Sequence, residues 1–216
     1  MPKDTLIKNK WIALLLLTIP VAMANFPIAK FPVKFIIITA VVFVFTWLQN
    51  GSLRPLNFKK LSLKDLGIII ITYIALELVM DFAIQPLISF LFNEPADYST
   101  FAVLEGNTPK YLKYLFYMWI SAAIGEEVLY RGFIFAQLEK LIGNKKFVII
   151  LISAILFAIP HLYLGIAGVV STFVFGLAFG LLYARYKNIW INIIVHGLID
   201  TLFLTLAYFG EIGFYE

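Results

Sequence analysis

Eight side chains capable of acid–base or charge chemistry lie inside otherwise apolar stretches: Glu77, Asp81, Glu126, Glu127, Arg131, His161, His196 and Asp200. Cysteine is absent, which removes disulfides, thiolate metal ligands and a cysteine nucleophile. Ser121 and Ser153 have no histidine at helical spacing, so no activated hydroxyl is evident. Carboxylates and imidazoles remain. A carboxylate in a dry pocket holds its proton more tightly and serves as a better general base near neutral pH. Such a glutamate, aided by a histidine, takes a proton from water; the water attacks a carbonyl, and a second imidazole stabilises the oxyanion. The expected reaction is hydrolysis of a peptide bond. One Glu with two His is also a catalytic zinc set, and Glu126, His161 and His196 would supply it. The helical H-E-x-x-H pattern is absent, however, so such a site would be assembled from three distant helices. Zinc is therefore the alternative, and no cofactor is the first expectation.

These groups are expensive where they sit. A charge at the centre of a membrane helix costs about 2.5–3.5 kcal/mol, and six isolated ones would cost on the order of 15–20 kcal/mol. They must face one another or a wet cavity, which makes a functional site the default reading. Spacing supports pairing. Glu127 and Arg131 are i, i+4 with the acid first, a favourable intrahelical ion pair. His196 and Asp200, Phe157 and His161, and Glu77 and Asp81 share that spacing. Glu126 points about 100° away from Glu127 on an α-helix. At 1.5 Å per residue, Glu126 lies roughly 17 Å from Gln137, His161 roughly 21 Å from Phe147, and His196 and Asp200 roughly 11 and 17 Å from Ile189. Three helices can thus bring Glu126, His161, His196 and Asp200 to one depth. Glu77 and Asp81 read as supporting groups or as the wall of an aqueous entrance.

The elements that position them are membrane helices. The 216 residues are 62% hydrophobic and 14% charged, with mean hydropathy +0.92. Soluble domains carry roughly 45–50% apolar and about 25% charged residues, so a soluble globule and a disordered chain are both excluded. Seven apolar segments are predicted at about 11–29, 35–49, 66–93, 112–137, 147–161, 165–184 and 189–209. The third contains Pro86 and the fourth is interrupted by polar residues, so either is tilted, kinked or broken. The expected fold is all-α, a single polytopic transmembrane bundle (1–216) of seven or eight spans. Its N-terminal spans cover about 11–93 and a motif-bearing core covers about 112–209. Gly176 and Gly180 form a G-x-x-x-G for close helix packing within the chain.

With the N-terminus inside and seven spans, the inner segments hold Lys3, Lys8, Lys10, Arg54, Lys59, Lys60, Lys64, Lys140, Lys145, Lys146, Arg185 and Lys187. The outer ones hold only Lys30, Lys34, Lys110 and Lys113. This bias predicts a cytoplasmic N-terminus and an outer tail with Glu211 and Glu216. The net charge of +4 is accordingly a topology signal and not a nucleic-acid site. Residues 1–24 have a basic start, an apolar stretch from Trp11 and the pattern Ala22-Met23-Ala24, as in a signal peptide. They are read as a retained first helix.

Three ordered motifs carry a family resemblance. Glu126-Glu127-Val128-Leu129-Tyr130-Arg131 fits E-E-x-x-x-R, Phe157-Ala158-Ile159-Pro160-His161 fits F-x-x-x-H, and His196-Gly197-Leu198-Ile199-Asp200 fits H-x-x-x-N/D. Together they resemble the CPBP family, the CAAX prenyl proteases and bacteriocin-processing enzymes also called Abi. The resemblance implies a glutamate-dependent intramembrane protease. By motif position Glu126 and His161 would activate water, His196 and Asp200 would form the oxyanion hole, and Glu127 and Arg131 would hold the site together. Eukaryotic-type members cleave after a prenylated cysteine, whereas many bacterial members serve peptide maturation, bacteriocin immunity or surface-protein processing. The small size and topology favour the second branch and a bacterial cell membrane. The implied partners are membrane lipid and a peptide or lipidated-peptide substrate. Position 200 departs from the prenyl-protease pattern, which has Asn there: an ionised Asp cannot donate a hydrogen bond. A transporter with a proton relay, or an immunity protein that keeps the motifs but acts by binding, are the competing functions.

Overall fold

The computed structural model describes residues 9–215, and Lys3, Lys8 and Glu216 of the charge count lie outside them. Each predicted apolar segment is a helix, and among the described residues there is no strand. In chain order these are α1 (Lys10–Asn25), α2 (Val33–Asn50), α3 (Leu63–Phe92), α4 (residues 108–142), α5 (Lys146–Ala158), α6 (Gly165–Tyr186) and α7 (Ile189–Tyr208). Local signals set their ends. The Asn9 side chain accepts from the backbone N–H groups of Trp11 and Ile12 at the start of α1, and Ser62 and Asp65 form a reciprocal capping box at the start of α3. Helix α2 stops at Gly51, whose φ of 67° a residue with a Cβ adopts at a cost.

Four helical runs are long and apolar enough to cross a membrane: Val33–Asn50, Leu63–Phe92, Lys146–Tyr186 and Ile189–Tyr208. That is fewer than the seven or eight spans read from the sequence, for identifiable reasons. Helix α1 has 16 residues and rises roughly 24 Å, short of a hydrocarbon core of roughly 30 Å. Helix α4 is long, but Lys110, Lys113, Glu126, Glu127 and Arg131 break its apolar character. The 41-residue run Lys146–Tyr186 is one apolar stretch folded back on itself through a 3₁₀ turn, Ile159–Leu164. A Cβ on Gly176 would lie 3.0 Å from Ala154 Cα, and one on Gly180 would lie 2.9 Å from Ile150 Cγ2. The two glycines therefore let α6 run antiparallel against α5, the close packing their spacing predicts.

Helix α4 is not regular. Met118–Glu126 and Val128–Phe133 are π-helical, which widens the turn beyond the α-helical geometry assumed from sequence. Both acids and Arg131 sit in this stretch. Its residues Val128, Leu129, Tyr130 and Phe133 are buried, in one core with Phe35 and Ile38 of α2, Ile149 and Phe157 of α5, and Ile193 of α7. Apolar residues also cover the outside of the bundle: Ile70, Ile71, Ile74, Leu78 and Phe82 of α3 are exposed, as a lipid-facing helix requires. With this surface the chain is an integral membrane protein.

Candidate active site

Arg131 and Glu127 are fully buried, and Arg131 Nη1 donates to Glu127 Oε1 at 2.9 Å. The i, i+4 pair expected from spacing is therefore formed within the π-helical stretch. Arg131 does more. Its Nη2 donates to the Gly176 carbonyl at 3.3 Å, and its guanidinium lies 4.3 Å from the Phe157 ring centroid and 5.2 Å from that of Phe179. One side chain thus ties α4 to α5 and α6 through charge, hydrogen bonding and cation–π contact. Gly176 matters twice, since its bare Cα admits α5 and its carbonyl accepts from Arg131.

Glu127 reaches a third helix. Its Oε1 also lies 3.0 Å from His196 Nδ1. The other ring nitrogen of His196, Nε2, lies 3.6 Å from Asp200 Oδ2, an ion-pair distance but too long for a hydrogen bond. The His196 ring stacks on Phe179 at 5.1 Å between centroids. Sequence spacing foresaw His196 beside Asp200. It did not foresee His196 on Glu127, 69 positions away, nor the aromatic bed formed by Phe157 and Phe179. The only local clue to that bed is Phe157 itself, the first residue of F-x-x-x-H.

His161 is not on α5 as the segment 147–161 implied. The helix ends at Ala158, and Pro160 and His161 lie in the 3₁₀ turn that follows. The i, i+4 relation survives in another form: His161 Nδ1 is 2.9 Å from the Phe157 carbonyl oxygen. A carbonyl only accepts, so Nδ1 carries the proton. In the neutral ring Nε2 then holds the lone pair.

A cavity of about 590 Å³ gathers these groups. Glu126, His161, His196 and Asp200 all line it, so the four candidate residues meet at one site. Glu126 is 7% exposed and makes no hydrogen bond to any described residue, whereas Asp200 keeps a fifth of its side chain exposed. Glu77 and Asp81 of α3 line the same cavity. Among the described residues, no three His, Asp or Glu side chains form a group that could hold a metal ion.

Residues 108–202 match the Rce1-like type II CAAX prenyl endopeptidases. This stretch contains E-E-x-x-x-R, F-x-x-x-H and H-x-x-x-D in order, each contributing to the one cavity. Over these residues the chain is similar to the CAAX endopeptidase family. No curated protein and no solved structure gives a significant match. Helices α1 to α3 lie outside the stretch that matches the CAAX endopeptidases, although α3 supplies a wall of the cavity.

Helix α7 is held against this site by Trp119 of α4. A Cβ on Gly197 would come within 2.7 Å of the indole ring, whose Nε1 donates to Thr201 Oγ1 at 3.1 Å and so cannot swing freely. Gly197→Ala is expected to force the helices apart beside His196. The cost is about 1–3 kcal/mol, read as a lower unfolding temperature of the detergent-solubilised protein. An unchanged unfolding temperature would show that the indole moves aside.

Proposed function

We propose that the chain is an intramembrane endopeptidase of the CAAX type that hydrolyses a peptide bond with a water activated by Glu126 and His161. The observation that carries this is the different charge of the partners that two imidazoles lining one cavity meet through Nδ1–H: a neutral carbonyl for His161, and for His196 a carboxylate, with Asp200 beside its other nitrogen. His161 spends Nδ1–H on the Phe157 carbonyl and so turns a lone pair outward. His196 spends Nδ1 on the Glu127 carboxylate, beside Arg131. One ring is placed to accept a proton and the other to donate.

The reaction follows. Glu126, close to water and bound to nothing, takes a proton from a water that also donates to His161 Nε2. The hydroxide oxygen attacks the scissile carbonyl, whose oxygen becomes an oxyanion. His196, protonated on both nitrogens, donates Nδ1–H to Glu127 and Nε2–H to that oxygen. The proton held by Glu126 passes to the leaving amine as the carbon–nitrogen bond breaks. Asp200 faces His196 Nε2 and stabilises the charged ring electrostatically, which accounts for an acid at a position where an oxyanion donor would be Asn. Glu127 and Arg131 act as positioning residues.

On this reading the substrate is a membrane-embedded peptide or lipidated peptide and the enzyme sits in a bacterial cell membrane; the bias of basic residues between the apolar segments supports an N-terminus on the cytoplasmic side. Bacteriocin immunity or peptide maturation are the processes this reading serves. The test is cleavage of a membrane-proteome digest by the detergent-purified full chain, with and without a chelator. Chelator-resistant cleavage is the expected result. Loss of cleavage on chelation with recovery in zinc would replace this mechanism by a metal-dependent one. A folded wild type that cleaves nothing would move the function to immunity by binding.

A further inference from the structure

The cavity carries two acids that the proposed chemistry does not use. Glu77 and Asp81 are one turn apart on α3, where Met80–Ile84 is π-helical, and both face the cavity. Asp81 Oδ1 accepts from Gln85 Nε2 at 2.8 Å, and Gln85 is itself buried, so this carboxylate is held in place. Glu77 Oε1 is shielded from solvent with no hydrogen-bond partner among the described residues. Neither acid has a Lys, Arg or His partner within ion-pair distance among the described residues. Lys34 also lines the cavity, without an ion-pair contact to either acid among the described residues.

An acidic pair alone defines no ligand, and here two further features do. Glu126, 7% exposed and without a hydrogen bond to any described residue, opens into the same cavity and adds a third acid to its wall. Beside the pair stand aromatic rings: Tyr98 and Phe101 pack on Phe203 at centroid separations of 5.0 and 4.9 Å, and all three line the cavity. Carboxylates next to ring faces in a shielded pocket suit an organic ammonium or guanidinium group, which takes charge-assisted hydrogen bonds on one side and cation–π contact on the other.

We infer that Glu77 and Asp81 form a subsite for a basic residue, Lys or Arg, of the peptide substrate, next to the site of hydrolysis. This rests on the protease reading and names what selects its substrate. The pair lies outside residues 108–202, so it is a feature of this chain's own α3 rather than of the matched family stretch. A cationic side chain anchored there would bring the neighbouring peptide bond to Glu126 and His161, with the apolar remainder of the peptide along the lining.

The test measures binding, not cleavage. A fluorescent twelve-residue Leu/Ala peptide with one central Lys is titrated into the full chain carrying His161→Ala, which suppresses turnover and leaves all three acids in place, and the same peptide with norleucine at the centre serves as the uncharged probe. The Lys peptide is expected to bind about tenfold more tightly, as one charge-assisted contact allows. In Glu77→Gln/Asp81→Asn added to that protein, the preference should vanish while norleucine-peptide binding stays, which also reports that the variant is folded. Equal binding of the two peptides before the acids are changed overturns the proposal, whatever the variant does. So does a preference that survives loss of both acids. Failure of cleavage by wild type with Lys-selective binding intact would count against the protease reading and not against the subsite.

Discussion

Glu126→Gln and Glu126→Ala are expected to lower kcat/KM for peptide cleavage by about 10³-fold or more while leaving the protein as stable as wild type. The loss corresponds to about 4 kcal/mol of transition-state stabilisation, within the range a positioned general base supplies. Stability should hold because Glu126 bonds to no described residue: its removal strands no partner among them and relieves a buried carboxyl that they do not satisfy. The Gln variant keeps the shape and removes only the base. His161→Ala should fall in the same direction. Because the two residues act on one water, the double variant should be scarcely worse than either single one. Cleavage rates and thermal unfolding on the same preparations check this together. Normal turnover by Glu126→Gln would remove the carboxylate from the mechanism, and a collapse in unfolding temperature would mean that its role is structural.

The candidate site was legible in the sequence to the extent that its causes are local. Charge in lipid is costly enough that Glu126, Arg131, His161, His196 and Asp200 stand out from their apolar surroundings, and hydropathy alone located the helices that bear all of them except His161. Pair spacing was readable too, because Glu127–Arg131 and His196–Asp200 are each set by one helix. The misses share a physical origin. Widening of α4 into π-turns depends on what packs around residues 118–133, and periodicity over so short a stretch does not separate 3.6 from 4.4 residues per turn. The bond from Glu127 to His196 joins helices whose adjacency no local pattern encodes. His161 left its helix because Pro160 lies at the start of the 3₁₀ turn that follows α5; the residue was visible and the break it favours was not read. Glu77 and Asp81 were noticed as misplaced charge, and only the cavity shows which site they face.

Arg131→Ala is expected to be the most destabilising of the substitutions considered. It would leave Glu127 fully buried with only His196 for a partner, empty the space between Phe157 and Phe179, and free the Gly176 carbonyl. Breaking one side of a buried pair costs about 3–5 kcal/mol, which lowers the unfolding temperature by roughly 10 °C for a chain of this size. Lysine should not rescue it, since a single ammonium cannot span Glu127 and the Gly176 carbonyl while lying flat on the rings. Glu127→Leu/Arg131→Met separates stability from positioning. The wild-type pair is itself imperfect, because Arg131 Nε and Glu127 Oε2 are buried without hydrogen-bond partners. Replacing both by apolar groups removes those two costs, so the double variant should recover most of the lost stability. Activity should not return with it, because His196 Nδ1 then has no acceptor and the ring loses the orientation that aims Nε2 into the cavity. An apolar pair that restored both would show that the charges serve folding alone. Recovery of stability without turnover would show why an expensive ion pair is kept in a core that apolar residues could fill.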